Sequence, residues 1–326
     1  MTHDKHKSSP SVTDRIGRIV FGTMTFGSPV EQQEADAMIR ACREAGVTMF
    51  DTSNNYVSGH SEEMLGSAVK SFRDEVLIAT KGGSMVEQSE HSVKGLSKTA
   101  VHKAIDASLA RLGTDYIDVY YLHRPDRETA IEETLEALSE AVQAGKILAL
   151  GQSNFAAWQA TEMLYLSRAH GWPEVRITQM MYNLLARRVE TEYLECSRTL
   201  GFTNIAYNPL AGGLLTGKHR SDGATRNGRF AKKLYRERYW NDTQFEAIGK
   251  LQSIADDAGL TLIELSFRWV LSRSGTDAML LGASSLSQLE TNLVALNGPP
   301  LDDAVLEKCD EVWRDRLVGV APDYSR

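Results

Sequence analysis

The chain has 326 residues, of which 42% are hydrophobic, 24% charged and 8% aromatic. This composition is ordinary for a folded protein and excludes disordered, collagen-like and repeat-fibre classes. The 43 acidic and 36 basic residues give a formal net charge of −7, which argues against general nucleic-acid binding because phosphate contacts need a basic surface.

Neither the cysteines nor the apolar segments of the sequence indicate a disulfide-linked, metal-binding, secreted or membrane-spanning protein. Cys42, Cys196 and Cys309 lie far apart without a CxxC motif, so we predict no disulfide framework and no metal site. The N-terminal segment is polar, unlike a signal peptide, and no run of about 18 apolar residues occurs. We therefore predict a cytoplasmic protein without a membrane partner, with a flexible tail at 1–14 and a single domain at 15–326.

Eight short apolar segments recur along the chain, and most of them end in polar residues or glycine. They lie at 18–27, 47–53, 76–83, 116–126, 147–154, 176–183, 204–213 and 278–285. Near-continuous apolar strands are typical of a parallel sheet covered on both faces. Helical patterns fill the gaps, and glycines stand where these helices should end, at Gly46, Gly113, Gly145, Gly171 and Gly201.

The spacing of these segments favours one architecture. Most strand ends fall about 27 to 42 residues apart, the size of a βα unit. A longer gap before the last strand holds a basic, aromatic stretch at 218–240 and helical patterns at 244–258 and 261–272. Eight units in roughly 300 residues predict a (β/α)8 TIM barrel with an inserted loop after strand 7, a C-terminal helix at 302–317 and a tail. A doubly wound sheet is the alternative, but it favours a GxGxxG motif after the first strand, and FGTMTFG is not that motif.

Polar residues at the carboxyl ends of barrel strands meet on one face. Here they are Asp51, Lys81, His123, Asn154, Gln179 and Asn208, with Tyr56 in the same loop as Asp51. Each alone is usually a turn or packing residue, but together they predict a site.

This set of residues suits proton transfer to a carbonyl oxygen. Tyrosine has an ordinary pKa near 10, which a neighbouring Lys81 ammonium lowers by favouring tyrosinate. Asp51 can hold Lys81 by a charge-assisted hydrogen bond, and His123 can donate to an oxygen near the Tyr56 hydroxyl. Tyr56 is then a general acid. Because the sequence shows no activated nucleophile, a hydride-donating cofactor is predicted.

The later strand ends offer a place for such a cofactor. Ser153, Asn154 and Gln179 suit the carboxamide of a nicotinamide ring, and Tyr207 can stack on that ring. The glycine-rich segment 208–218 allows close approach to a pyrophosphate, with a mobile hinge loop as the alternative. The first amides of a helix beginning within 282–292 can bind phosphate.

Six motifs occur in one order across nearly the whole chain, and they resemble those of the aldo-keto reductases. The motifs are FDTSNNYVSGHSEEMLG, ATKGG, YLHRPD, GQSNF, YNPLAGGLLTGK and LGASSLSQLETN. The nearest resemblance, through MYNLLARRVETEYL and YRERYW, is to the aflatoxin-aldehyde and succinic-semialdehyde reductase branch. It implies a (β/α)8 barrel, NADPH/NADP+ as cofactor and a catalytic tetrad of Asp51, Tyr56, Lys81 and His123.

The resemblance also implies binding residues for the cofactor and the substrate. Those for NADPH are Ser153, Asn154, Gln179, Tyr207, Asn208, Pro209, Leu210, Gly212, Leu214, Gly217, Lys218, Arg229, Gly282, Ser284, Gln288 and Asn292. Gly282 and Gln288 stand where many members carry Lys and Arg for the 2′-phosphate. Those facing the substrate are Asn55, where the branch often has an apolar residue, with Tyr235, Arg238 and Arg326. Two arginines suit an acidic substrate because guanidinium holds carboxylate bidentately, and surface salt bridging is the alternative interpretation.

The leading hypothesis is thus an NADPH-dependent reductase of small-molecule aldehydes or ketones. One alternative is an NADPH-binding accessory protein with little turnover, as the related potassium-channel β-subunits are. Another is a barrel isomerase or lyase that uses Lys81 as a Schiff-base amine, against which Asp51 argues. The related branch tends to form dimers, so a homodimer is an expectation by analogy.

Overall fold

Eight parallel strands close into a barrel in the order of the chain, with β8 hydrogen-bonded to β1. The computed structural model describes residues 11–84, 95–219, 221 and 228–324. The strands are β1 (Ile19–Gly22), β2 (Met49–Asp51), β3 (Leu77–Gly82), β4 (Ile117–Leu122), β5 (Ile147–Ser153), β6 (Val175–Met181), β7 (Thr203–Tyr207) and β8 (Ala278–Gly282). All eight lie within or overlap the predicted segments, and the predicted (β/α)8 TIM barrel is confirmed.

One helix follows each of the first six strands, and further helices lie between β7 and β8 and after β8. They are α1 (Gln32–Glu44), α2 (His60–Val69), α3 (Lys98–Leu112), α4 (Ile131–Gln143), α5 (Ala157–His170), α6 (Tyr193–Leu200), α7 (Lys233–Tyr239), α8 (Asp242–Asp257), α9 (Leu262–Ser272), α10 (Leu286–Ala295) and α11 (Asp303–Val312). Gly113, Gly171 and Gly201 cap α3, α5 and α6 in the left-handed conformation, as predicted. A single π-helical turn, Trp313–Leu317, extends α11 to the predicted end of the C-terminal helix.

The alternation of strand residues decides which side chains reach the site. Successive side chains of a strand point to opposite faces of the sheet. Met49 and Leu77 belong to one buried cluster, whereas their neighbours Phe50 and Ile78 belong to another that includes the helices. The first cluster therefore fills the barrel interior. Asp51 lies two residues beyond Met49 and so faces the same interior, at its carboxyl end.

Residues 11–14, which the sequence analysis assigned to a flexible tail, lie in the described part of the chain. Val12 and Ile16 pack against the interior cluster of the barrel, and Thr13–Arg15 form a 3-10 helix. Residues 11–14, predicted to belong to the flexible tail, are thus folded against the barrel because these apolar side chains cover it. The rest of the predicted tail, 1–10, lies outside the described residues.

The connection between β7 and β8 holds the predicted insertion. The sequence predicted a loop before the helices α8 and α9, but the structure shows two 3-10 helices (Ala211–Thr216 and Gly228–Ala231) and the short helix α7. The physical reason is an aromatic cluster, in which Phe230 packs edge to face on Tyr235 and Trp240. Of the helices described, none combines the length and apolar character needed to cross a membrane.

Candidate active site

Asp51 and Lys81 form a buried ion pair at the carboxyl ends of β2 and β3. Lys81 Nζ donates to Asp51 Oδ1 and to the backbone oxygen of Thr52 at 2.7 Å. Gln179 Nε2 donates to the other carboxylate oxygen at 2.8 Å. The side chains of Lys81 and Asp51 are only 1% and 0% exposed. Desolvation offsets much of the attraction in such a pair, so these additional hydrogen bonds are needed to complete it.

The ion pair keeps Lys81 in its charged form. Burial alone would lower the pKa of Lys81, but the charges of Asp51 and Tyr56 outweigh burial and raise it. Burial raises the pKa of Asp51, against the lowering effects of Lys81 and Gln179. An ammonium is not a nucleophile, and a Schiff base requires a neutral amine. This electrostatic arrangement argues against the isomerase or lyase alternative.

Tyr56 begins the 3-10 turn Tyr56–Gly59, which joins β2 to α2. Its ring centroid lies 5.1 Å from Lys81 Nζ and 6.1 Å from the ring centroid of His123, edge to face. Burial raises the pKa of the Tyr56 hydroxyl, and the Lys81 charge lowers it by a smaller amount. The lowered pKa predicted from the sequence was therefore wrong in its net direction. The ammonium is already paired with Asp51, so its attraction does not offset the desolvation of a tyrosinate.

His123 is the fourth member of the predicted tetrad, and it follows β4. Burial, with the charges of Lys81 and Arg124, holds the pKa of its imidazole well below the ordinary value. The ring is thus neutral at neutral pH. Its Nδ1 lies 3.1 Å from the Oγ of Ser53. The structure places all four predicted tetrad residues together at the carboxyl end of the barrel.

The turn that carries Tyr56 has a strained backbone. Val57 and Ser58 adopt left-handed conformations, with φ of 48° and 56°, which cost L residues on the order of 1–2 kcal/mol each. Behind the turn, the Ser61 hydroxyl contacts those of Thr23 and Thr52, at 2.9 Å each. Such strain persists only where the surroundings hold the backbone, and it is common at functional sites.

A second buried ion pair supports this turn, and the sequence analysis missed it. Glu62 is fully buried and accepts hydrogen bonds from Thr80 Oγ1 at 2.5 Å and from Arg111 Nε at 2.6 Å. Thr80 is adjacent to Lys81, so Glu62 connects the helix after the turn to the strand that carries the lysine. The sequence pointed to this ion pair only through an acidic residue in the first turn of α2, where negative charge is favourable. Its partner Arg111 is 49 residues away.

We expect Gly59→Ala to destabilise the protein by about 2–3 kcal/mol, because two effects add. Gly59 has a φ of +93°, and a Cβ there would lie 2.7 Å from the Cδ and Nε of Arg111. Gly113→Ala is the matched control, because Gly113 has a φ of +62° but no atom within 4 Å of the added Cβ. Urea unfolding measures both variants. Equal losses in the two would show that the Arg111 contact contributes nothing.

The residues predicted to hold a nicotinamide form a hydrogen-bonded row across β5, β6 and β7. Tyr207 donates its hydroxyl proton to Asn154 Oδ1 at 2.6 Å. Asn154 Nδ2 donates to Ser153 Oγ at 3.0 Å, and Ser153 Oγ donates to the backbone oxygen of Gln179 at 2.9 Å. The Gln179 amide is bound to Asp51, so Gln179 positions the ion pair as well as bordering this row.

The glycine-rich segment after β7 is held in one conformation. Asn208 Oδ1 accepts from the backbone N–H of Gly212 at 2.6 Å, and Asn208 Nδ2 donates to the Tyr239 hydroxyl at 2.8 Å. Gly212 has a φ of +72°, and a Cβ there would lie 2.8 Å from the Tyr235 ring. These contacts disfavour the mobile-hinge interpretation. Tyr239, which the sequence analysis missed, is fully buried and anchors α7 on this segment.

The other predicted cofactor residues of this segment differ in exposure. Pro209 and Leu214 are buried, and Leu210 is half-buried. Gly217 and Lys218 are exposed at the end of the segment. At its exposed end, Gly217 offers backbone without a side chain and Lys218 offers a cation, and both suit a pyrophosphate or phosphate.

The start of α10 offers donors for a phosphate. The backbone N–H and hydroxyl of Ser284 both donate to Gln288 Oε1, at 3.1 and 2.8 Å. A Cβ at Gly282 would lie 3.8 Å from Arg229 Nη2, so this guanidinium stands at the end of β8. Asn292 is buried, and its Nδ2 lies 3.5 Å from the backbone oxygen of Gly282. Guanidinium, amide and hydroxyl donors are the groups that bind phosphate, and these residues fit a phosphorylated cofactor.

The described residues predicted to face the substrate lie on α7 and in the loop after β2. The guanidinium carbon of Arg238 lies 5.9 Å from the Tyr235 ring centroid. Arg238 Nε is buried and, within the described residues, has no hydrogen-bond partner. Burial raises the pKa of Tyr207, and the Arg238 charge lowers it by less. The Arg238 guanidinium is therefore close enough to influence Tyr207, which belongs to the hydrogen-bonded row predicted to hold the nicotinamide. Asn55 Nδ2 donates to Ser84 Oγ at 2.8 Å. Arg326 lies outside the described residues.

Three relatives and one family model resemble the chain over most of its length. A model of the Aldo/keto reductase family matches residues 18–314. Aflatoxin B1 aldehyde reductase member 2 of Rattus norvegicus is 38% identical, covering 94% of this chain and 87% of the relative. Human aldo-keto reductase family 7 member A3 is 36% identical over 94% and 96% of the two chains. A probable voltage-gated potassium channel subunit beta of Arabidopsis thaliana is 33% identical over 93% and 94%.

Proposed function

Since the chain belongs to the aldo/keto reductase family of carbonyl-reducing oxidoreductases, we propose that it reduces an aldehyde or a ketone with NADPH and that Tyr56 donates the proton. The observation that carries this proposal is that Tyr56 lies beside the buried Lys81–Asp51 ion pair and a neutral His123. This arrangement combines a proton donor with a fixed positive charge, and it lacks a free nucleophile. The homodimeric assembly and the cytoplasmic location of the protein stay predictions.

Tyr56 is suited to protonating the oxygen of a carbonyl under reduction. Burial raises its pKa, so the hydroxyl keeps its proton throughout the neutral range. Once Tyr56 has given this proton to the developing alkoxide, the tyrosinate faces the Lys81 ammonium. Asp51 and Gln179 hold that ammonium in place. The positive charge therefore stabilises the transition state, in which negative charge develops.

Three groups of residues would bind three different parts of the cofactor. Ser153, Asn154 and Tyr207 would hold the nicotinamide ring, and the backbone of 208–218 would hold the pyrophosphate. Arg229, Ser284 and Gln288 would hold the 2′-phosphate, with Lys218 at the exposed end of its segment. When bound, NADPH supplies the hydride that the protein's own side chains cannot. The guanidinium near Gly282 supports NADPH over NADH.

The function is tested by following the absorbance of reduced nicotinamide with a panel of carbonyl compounds, and with NADPH and NADH in parallel. The panel includes succinic semialdehyde, a nitrobenzaldehyde, methylglyoxal and a diketone. Turnover with a preference for NADPH supports the reductase. Tight NADPH binding without turnover of any compound would instead support an accessory protein, the alternative to which the resemblance to a channel subunit points.

We further propose that Arg238 binds a carboxylate on the substrate, which favours acid aldehydes. Its buried Nε has no hydrogen-bond partner among the described residues, and it is a donor that a carboxylate can satisfy. A hydrogen bond to a charged group contributes about 1.5–3 kcal/mol, so we expect Arg238→Ala to lower kcat/KM for succinic semialdehyde at least about tenfold. Values for neutral aldehydes should change little.

Lys233→Ala is the matched control for Arg238→Ala. It removes a positive charge from the same helix, but the Lys233 side chain is 81% exposed and pairs with Glu237. We expect no selective loss with the acid aldehyde in this variant. If Arg238→Ala weakens acid and neutral aldehydes equally, Arg238 supports α7 and does not bind a carboxylate.

A further inference from the structure

Glu34 reaches from α1 to the start of α10, beside the residues proposed to hold the 2′-phosphate. Its Oε1 accepts from the backbone N–H of Leu286 at 2.8 Å, across 252 positions of the chain. Leu286 is the first residue of α10, and Glu34 lies in the first turn of α1, so the N-termini of two helices favour the negative charge of one carboxylate. The hydroxyl of Thr25, which precedes α1, donates to the backbone oxygen of Ala283 at 2.6 Å. This second contact fixes the position of α1 relative to the loop after β8.

The neighbouring donors of this loop are bound to uncharged oxygens instead. The backbone N–H and the hydroxyl of Ser284 donate to Gln288 Oε1 at 3.1 and 2.8 Å, and the Gln288 N–H donates to Ser285 Oγ at 3.2 Å. Gln288 is exposed, so rotation of its side chain would release the Ser284 donors to a phosphate. Glu34 approaches from a different helix and is half-buried, so its carboxylate would remain next to the bound phosphate.

Two opposite charges therefore act on a phosphate at this loop. The guanidinium of Arg229, 3.8 Å from a Cβ placed on Gly282, would attract it, and the carboxylate of Glu34 would repel it. A phosphate monoester carries about −1.5 to −2 charges at neutral pH, whereas the 2′-hydroxyl of NADH carries none. In doubly wound nucleotide-binding folds, an acidic residue at the ribose likewise accompanies NAD and an arginine accompanies NADP. Repulsion by Glu34 would thus weaken the binding of NADPH and leave that of NADH unchanged.

We propose that Glu34 is a specificity-determining residue that weakens binding of the 2′-phosphate, so that the protein accepts NADH beside NADPH. This proposal rests on the proposed function, because it concerns the cofactor of that reaction. The preference between the two cofactors is then set by the balance of Arg229 and Glu34. A unit charge about one helical turn from a phosphate dianion in water changes its binding about three- to tenfold, and less as salt screens it.

Fluorescence titration with NADPH and with NADH, recorded without any carbonyl compound, measures both dissociation constants. Glu34→Gln removes the charge but keeps an oxygen that can accept from the Leu286 N–H, so the start of α10 should be preserved. We expect this variant to bind NADPH about three- to tenfold more tightly than the wild type and NADH equally. The gain should shrink as salt is raised from about 20 to about 500 mM. An unchanged affinity for NADPH, or an equal gain for both cofactors, would overturn the proposal.

Asp36→Asn is the matched control, because it removes the same charge from the same helix. Asp36 accepts from Gln32 Nε2 at 2.7 Å, and Gln32 also donates to the backbone oxygen of Met64 at 3.2 Å. Asp36 therefore lies on the side of α1 that faces α2, away from α10. Its variant should bind NADPH and NADH as the wild type does. A gain for NADPH as large as that in Glu34→Gln would assign the effect to the net charge of the protein and overturn the role of Glu34.

Displacement of the bound cofactor by two nucleotide fragments locates the effect of Glu34. Adenosine 2′,5′-bisphosphate carries the 2′-phosphate and 5′-AMP lacks it, so only the bisphosphate should bind more tightly to Glu34→Gln. A gain shared by both fragments would contradict an action on the 2′-phosphate. A wild type that binds neither NADPH nor NADH would overturn the proposed function and this proposal with it. Binding of both cofactors with the same preference in the wild type and in Glu34→Gln would overturn only the role of Glu34.

Discussion

We expect Tyr56→Phe to lower kcat about 10²–10⁴-fold on every carbonyl compound that the wild type reduces. The substitution removes only the hydroxyl, and a positioned general acid contributes a factor of this size. The phenyl ring still fills the space beside Lys81 and His123, so affinity for NADPH and resistance to urea should stay near wild-type values. Single-turnover reduction with fluorescence titration of NADPH separates the two effects.

Tyr116→Phe serves as the control for loss of a tyrosine hydroxyl. Tyr116 lies at the other end of β4 and donates to Asp74, away from the tetrad, so activity should be unaffected. A Tyr56→Phe enzyme that keeps near-wild-type kcat would remove Tyr56 from the mechanism.

The pH profile of reduction offers a second test of Tyr56. Because burial raises its pKa, the proton-bearing form is present through the neutral range. The rate should stay level there and decline only above the ordinary tyrosine pKa of about 10. A decline centred near neutral pH would instead indicate the lowered pKa that the sequence suggested.

The second large effect is expected for Lys81→Met. It leaves the Asp51 carboxylate buried without its cation, with Gln179 as the remaining side-chain donor. Breaking a buried pair by removing one partner costs about 3–5 kcal/mol, which urea unfolding would measure, and reduction should be lost with the ammonium. The double variant Asp51→Asn/Lys81→Met removes both charges and should recover much of the stability without recovering activity.

Two comparisons make the Lys81 result specific. Lys98→Met breaks ion pairs with Glu136 and Glu140 on the surface and should change the free energy of unfolding little.

The raised pKa of Lys81 means that its contribution to stability is complete below the ordinary lysine pKa of about 10.4 and is lost as the pH rises through the folded-state value. The stability gap between the wild type and the double variant should thus be constant at neutral pH and narrow in alkali. A gap that closes on acidification through neutral pH would contradict this assignment.

The sequence by itself determined the barrel, because the signals for its elements are local. The runs MFD and LIATKG are apolar up to their polar ends, as a strand buried on both faces must be. Gly113 and Gly171 mark helix ends because they adopt the left-handed conformation that other residues avoid. Since the carboxyl ends of all strands meet on one face, the positions of Asp51, Lys81 and His123 in the chain were enough to predict that they assemble.

Only the tertiary structure decided how those residues behave. The net shift of the Tyr56 pKa depends on how much water the fold removes, and no neighbour in the sequence reports that quantity. The contact of Ser53 with His123 joins residues 70 positions apart. The pair of Glu62 and Arg111 likewise has no local signal. Periodicity and turn chemistry act over a few residues, whereas burial, ion pairing and contacts between distant loops depend on the atoms that folding brings together.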